Sequence, residues 1–148
     1  MTRKASAFFL LVVIAAIFIA AGVMKAWNPA AFAEDIRNYR LVPWSANVVL
    51  ALYLPWLEMA VGGALLWRKT RGGGLLLALG MLLGFLLAIL SAWWRGLNIS
   101  CGCFGSGAGS AGTSSGLLWD VGRDVVLLLS VAWLLFREAK IEKRICEN

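Results

Sequence analysis

Four apolar runs, each long enough to cross a bilayer as a helix, leave this chain few ways to fold. A helix needs about 20 mostly apolar residues to traverse the hydrocarbon core. Phe8 to Val23 (FFLLVVIAAIFIAAGV) reaches that length with its flanking alanines. Trp44 to Trp67 does so despite Pro55 and Glu58, and Leu75 to Trp94 does so without interruption. Leu117 to Phe136 is the fourth run, although Asp120, Arg123 and Asp124 occupy its first two turns. The expectation is an all-α integral membrane protein, one domain over residues 1–148, built as a four-helix bundle with spans at about 5–24, 44–67, 75–94 and 117–136. Composition agrees: 61% of residues are apolar and 15% charged, against about half and a quarter in soluble domains.

The first run has a rival reading. Arg3 and Lys4 ahead of it, and Ala31-Phe32-Ala33 after it, have the layout of a signal peptide with its cleavage site. About ten residues, including Lys25 and Trp27, separate the run from that site, whereas cleavage normally follows the run closely. A retained span is the better reading.

Orientation follows from where Lys and Arg fall in the short connections. Arg3 and Lys4, then Arg68, Lys69 and Arg71, then Arg137, Lys140, Lys143 and Arg144 place nine on one side. Lys25, Arg37, Arg40 and Arg95 place four on the other. Both termini are expected inside, with Met24–Pro43 and Arg95–Gly116 as outward-facing connections. Trp27, Trp44, Trp93, Trp94 and Trp119 would then belt the outer interface. The net charge of +6 is explained by this asymmetry, and nucleic acid is not an expected partner. The expected location is a bacterial inner membrane, crossed several times. On the third span, Gly80, Gly84 and Ala88 form a stripe of small residues that would let a neighbouring helix come close, and Gly62 and Gly63 offer the second span a similar device.

The outward connection between the third and fourth spans carries "ISCGCFGSG", with Cys101 and Cys103 one glycine apart. On that side of the membrane disulfides form and persist. Three readings are open. A static disulfide would close so small a loop that it removes little unfolded-state entropy. A bond between near neighbours is strained and easily reduced, which suits a disulfide that cycles. Two thiolates also suit a soft metal, but zinc wants four ligands and the chain has no histidine, so no metal site is expected. The Gly/Ser-rich stretch Gly105–Gly116 would act as a tether, and Arg95 and Arg123 are near enough in sequence to lower a thiol pKa. Cys146 falls in the inner tail and has the look of an incidental thiol.

Charges inside spans are costly and mark function or register. Glu58 lies about 14 residues into the second span, roughly 21 Å down at 1.5 Å per residue, with Pro55 one turn earlier to free a backbone carbonyl. Arg123 is the natural partner for an acid and could reach Glu58 part way. Asp124 stands beside it, and Lys25 closes the first span on the same outer side. These groups are either a structural ion pair that fixes helix register or a polar pocket beneath the cysteine loop. Such a pocket would hold a proton relay or a quinone head group.

Taken in order, Lys25, Pro55-x-x-Glu58, "RGLNISCGCFG" (Arg95–Gly105) and Arg123-Asp124 resemble the MauE family of methylamine utilisation membrane proteins, within the broader DoxX-like group of four-helix bundles. The resemblance runs from Phe8 to Phe136. It implies disulfide processing outside the cytoplasm, with Cys101 and Cys103 exchanging a disulfide with a periplasmic thioredoxin-like protein. In the methylamine system this matures the disulfide-rich small subunit of methylamine dehydrogenase. No thioredoxin-like domain is fused within these residues, so a separate partner is implied. Two other classes stay open: a small proton-coupled transporter centred on Glu58, and a soft-metal assembly factor.

Overall fold

The computed structural model describes the backbone of residues 2–96 and 114–146, and the side chains of 6–96 and 121–140. Among the described residues there are five helices and no strand: α1 (Thr2–Trp27), α2 (Pro29–Asn38), α3 (Trp44–Leu66), α4 (Arg71–Trp94) and α5 (Ser114–Cys146). Three of these contain stretches long and apolar enough to cross a membrane, Ser6–Trp27, Trp44–Leu66 and Arg71–Trp94.

Neighbouring helices run antiparallel, as short connections require. Along α1 and α3 the contacts move in opposite directions, since Gly22 meets Pro55 and Met59 while Gly62 meets Ala15 and Ile19. A four-residue turn brings α4 back along α3, with the Thr70 hydroxyl donating to the Ala64 carbonyl at 3.0 Å. Arg71 at the start of α4 pairs with Glu138 near the end of α5, Nη1 to Oε1 3.4 Å. One end of the bundle therefore gathers the α3–α4 turn, Arg71 and Glu138. The other gathers Trp27, α2, Trp44 and Trp94.

The segment between α1 and α3, expected as a plain connection, contains α2. Its start is specified locally. Asn28 is the N-cap, its Oδ1 accepting from the Ala31 N–H at 3.2 Å, and Pro29 takes the first helical position, where its missing N–H costs nothing. Phe32 and Ala33 pack with Ala51 of α3, so α2 lies across the N-terminal half of that helix. The C-terminal end of α4 is tied to the same region. The Arg95 guanidinium donates to the Arg40 carbonyl at 3.2 Å and to the Tyr39 carbonyl. Gly96, with φ +66°, ends α4 in the left-handed conformation that glycine adopts without a Cβ penalty.

At the opposite end a dry core joins all four long helices: Leu11, Ile14 and Phe18 of α1, Val61 and Leu65 of α3, Leu75 and Leu82 of α4, Val131 and Leu134 of α5. Close packing depends on two glycines. A Cβ on Gly22 would lie 2.7 Å from the Pro55 carbonyl oxygen, and one on Gly62 would lie 2.6 Å from Ile19 Cγ1. The Gly80–Gly84 stripe does not serve this purpose within the chain. Both glycines are exposed, Gly84 beside an open cavity, and an added Cβ on either would meet nothing within 4 Å.

The exterior is as apolar as the core. Phe9, Tyr53, Trp56, Leu76, Leu87, Leu129 and Phe136 are all more than half exposed. In water such a surface would aggregate; in hydrocarbon it is solvated.

Candidate functional site

Between the dry core and the α2 end lies a layer of charge. Lys25 stands in the last turn of α1, where the partial negative charge of a helix C-terminus favours a cation. It projects toward α3 and its Nζ donates to Glu58 Oε1, with both side chains 2% exposed. The Lys25 ammonium also sits over two aromatic faces, Phe85 of α4 at 4.8 Å and Phe32 of α2 at 5.2 Å. Glu58 comes one turn after Pro55, which is itself buried and whose missing N–H leaves the Ala51 carbonyl without its usual helical donor. Glu58 Oε2 is buried and has no hydrogen-bond partner among the described residues.

On α5, Arg123 and Asp124 pair with each other, Nη2 to Oδ1 at 3.0 Å and Nε to Oδ1 at 3.3 Å. Asp124 is buried while Arg123 is partly exposed. The arginine expected to reach for Glu58 thus holds its sequence neighbour, and Lys25 takes Glu58 instead. The physical reason is proximity: Gly22 lets α1 approach the Pro55 carbonyl, which delivers Lys25, one turn further on, to the acid.

The two pairs face a common space. A cavity of about 40 Å³ is lined by Lys25, Glu58, Arg123 and Asp124 together with the apolar Phe18, Leu82, Phe85 and Leu127. That is room for about one water molecule. Two basic and two acidic side chains thus meet in one layer, a pairing under which charges are tolerated away from water. The structure therefore brings together all four of the polar residues singled out in the sequence. Pro55 borders them through Glu58, and Gly84 stands on the wall of a neighbouring cavity. Gly80 stands apart. Cys101 and Cys103 lie outside the described residues, as do the side chains of Asp120 and Cys146.

Sequence reasoning missed three residues. Asn47 is 2% exposed on α3 with its Oδ1 unpartnered among the described residues. Phe85 and Phe32 flank the Lys25 ammonium. A buried amide near the start of a span was a visible signal, because a polar side chain there needs a reason; nothing in spacing distinguishes Phe85 from the leucines around it.

Helices this apolar, packed antiparallel, with a lipid-compatible exterior and a layer of paired charges inside, define a multi-pass helical membrane protein. Residues 3–137 match the family model of methylamine utilisation protein MauE. The chain belongs to the MauE family. It is 35% identical over 95 residues to a methylamine utilization protein MauE of Paracoccus denitrificans, covering 64% of this chain and 51% of that protein. It is 36% identical over 121 residues to a protein of the same name from Methylorubrum extorquens, covering 78% of this chain and 62% of that protein. The chain thus spans between about half and three-fifths of these relatives' length. No solved structure matches it.

Proposed function

We propose that this protein is a membrane thiol–disulfide exchanger in which Cys101 and Cys103 act on a periplasmic thioredoxin-like partner. One thiolate attacks the partner's disulfide and forms a mixed disulfide. The second displaces it, leaving Cys101 and Cys103 bridged and the partner carrying two thiols; the reverse sequence reduces the pair and oxidises the partner. The observation that carries this reading is the Cys-Gly-Cys in the sequence that follows α4, whose last turn and Arg95 stand at the end of the bundle where α2 and the tryptophans gather. In the proposal α5 is the fourth span and both termini are cytoplasmic, in a bacterial inner membrane. Lys25, Glu58, Arg123 and Asp124 form the polar floor beneath the loop. The relatives' names point to methylamine utilisation, and maturation of an exported, disulfide-bearing enzyme for that pathway is the physiological setting we assign.

The transporter reading draws on Glu58, but an acid already neutralised by Lys25 is not the lone carboxylate that such a site exploits. The exchange reading makes a sidedness claim that a membrane-impermeant maleimide tests on intact spheroplasts after mild reduction. Cys101 and Cys103 should label from outside and Cys146 only after permeabilisation. Labelling of Cys146 alone from outside would invert the topology and remove the thiols from the periplasm.

A further inference from the structure

Beyond Lys25 and Phe85, which line the small charged cavity, a second cavity of about 330 Å³ opens beneath α2. We propose that it binds the ring of a lipid-soluble quinone, one ring carbonyl accepting from Lys25 Nζ and the apolar tail leaving past Gly84 and Leu50. Four observations select that chemistry.

The first is the donor. An ammonium has three N–H groups, and among the described residues one oxygen, Glu58 Oε1, accepts from Lys25; its other contacts are the faces of Phe32 and Phe85. An oxygen entering the cavity would meet a donor held in place. The second is charge: Glu58 already balances Lys25, so a neutral carbonyl fits where an anionic head group would carry uncompensated charge into an apolar site. The third is shape and size. Phe32 and Phe85 offer ring faces for stacking, and the volume is at the low end of the range for ligand pockets, right for a ring but not for a whole lipid. The fourth is access. Leu50 and Leu54 of α3 and Met81 and Gly84 of α4 share the lining with Asp35 and Ile36 of α2, so one side of the cavity is made by two apolar, membrane-spanning helices between which a tail can leave. Gly84 borders open space there, since even an added Cβ would meet nothing within 4 Å.

The proposal stands on the cavity and not on the cysteines, and its test is built accordingly. The full chain carrying Cys101→Ser and Cys103→Ser is reconstituted in phosphatidylcholine nanodiscs and photolabelled with an azido-ubiquinone, with decylubiquinone or oleate as competitor. Saturable labelling of α2, α3 or α4 is expected, displaced by decylubiquinone and not by oleate. Gly84→Leu, whose Cβ enters open space and whose branched end projects from the cavity lining, should weaken it about tenfold, equivalent to 1.4 kcal/mol. Gly80→Leu, the same change one turn away on the outer face, should leave it unaltered. Labelling that does not saturate, that oleate displaces equally well, or that is indifferent to Gly84→Leu overturns the assignment. None of these outcomes touches the thiol-exchange reading, because both thiols are absent.

Discussion

Lys25 and Glu58, 33 positions apart in the chain, form a buried ion pair that ties the end of α1 to the middle of α3. Burying two charges gains little net stability over two apolar residues, but removing one partner strands the other. Glu58→Met and Lys25→Met should each lower stability in detergent by about 3–5 kcal/mol. The double variant Lys25→Met, Glu58→Met should recover most of that loss. Thermal or denaturant unfolding of the four proteins gives the coupling; simple additivity would show that the pair is not the interacting unit.

Two kinds of glycine should behave in opposite ways. Gly22→Ala forces a Cβ to within 2.7 Å of the Pro55 carbonyl oxygen, a backbone atom that cannot rotate away, and should destabilise by about 1–3 kcal/mol. Gly80→Ala and Gly84→Ala enter open space on an exposed helix face and should be neutral or stabilising by up to about 1 kcal/mol, the usual helix preference for alanine. Melting temperatures in one detergent separate the two classes.

The guanidinium of Arg95 fastens the end of α4 to the Tyr39 and Arg40 carbonyls. Lysine presents a point charge and lacks the fork that reaches two carbonyls from one side chain. Arg95→Lys should therefore raise hydrogen exchange across residues 29–43 while leaving the dry core around Leu65 and Val131 unchanged. Equal protection in both proteins would mean that the clamp does not hold α2 down.

Asp35 on α2 supplies a pH signature. Burial, and then the neighbouring Glu34 carboxylate, raise its carboxyl above the ordinary value of 3.8. A raised acid favours the protonated form in the folded state, so its contribution is full below the unfolded pKa and is lost as pH rises toward the folded one. Asp35→Asn removes that loss. Its stability relative to the native chain should grow from about pH 4 upward and level off once Asp35 is ionised in both states. A difference that is flat with pH would show that Asp35 titrates normally.

Much of this architecture was legible because lipid imposes simple rules. Both ends of α3, at Trp44 and Leu66, and the end of α4 at Trp94 lie within a residue of the apolar boundaries, whereas α4 starts at Arg71, four residues ahead of the apolar run; the polar residues Lys25, Glu58, Arg123 and Asp124 stood out as charges in apolar surroundings. Pairing was harder. Arg123 looked like the partner for Glu58 by depth alone, but Gly22 decides which helix comes closest, and α1 brings Lys25. The Gly80–Gly84 spacing identified a smooth helix face without saying which way that face points. Helix α2 escaped an argument based on apolar runs because it is short and only one side of it is buried; Asn28-Pro29 was its signal, a cap followed by a residue suited to the first turn.

The exchange chemistry of Cys101 and Cys103 is tested most directly by trapping. Cys101→Ser and Cys103→Ser are each expressed in cells that hold the natural partner, quenched with acid and resolved without reductant. One of the two variants should carry a mixed disulfide to an extracytoplasmic thioredoxin-like protein, absent from the variant lacking both cysteines. If neither single variant yields an adduct, these thiols do not exchange with a protein partner, and the central claim is contradicted.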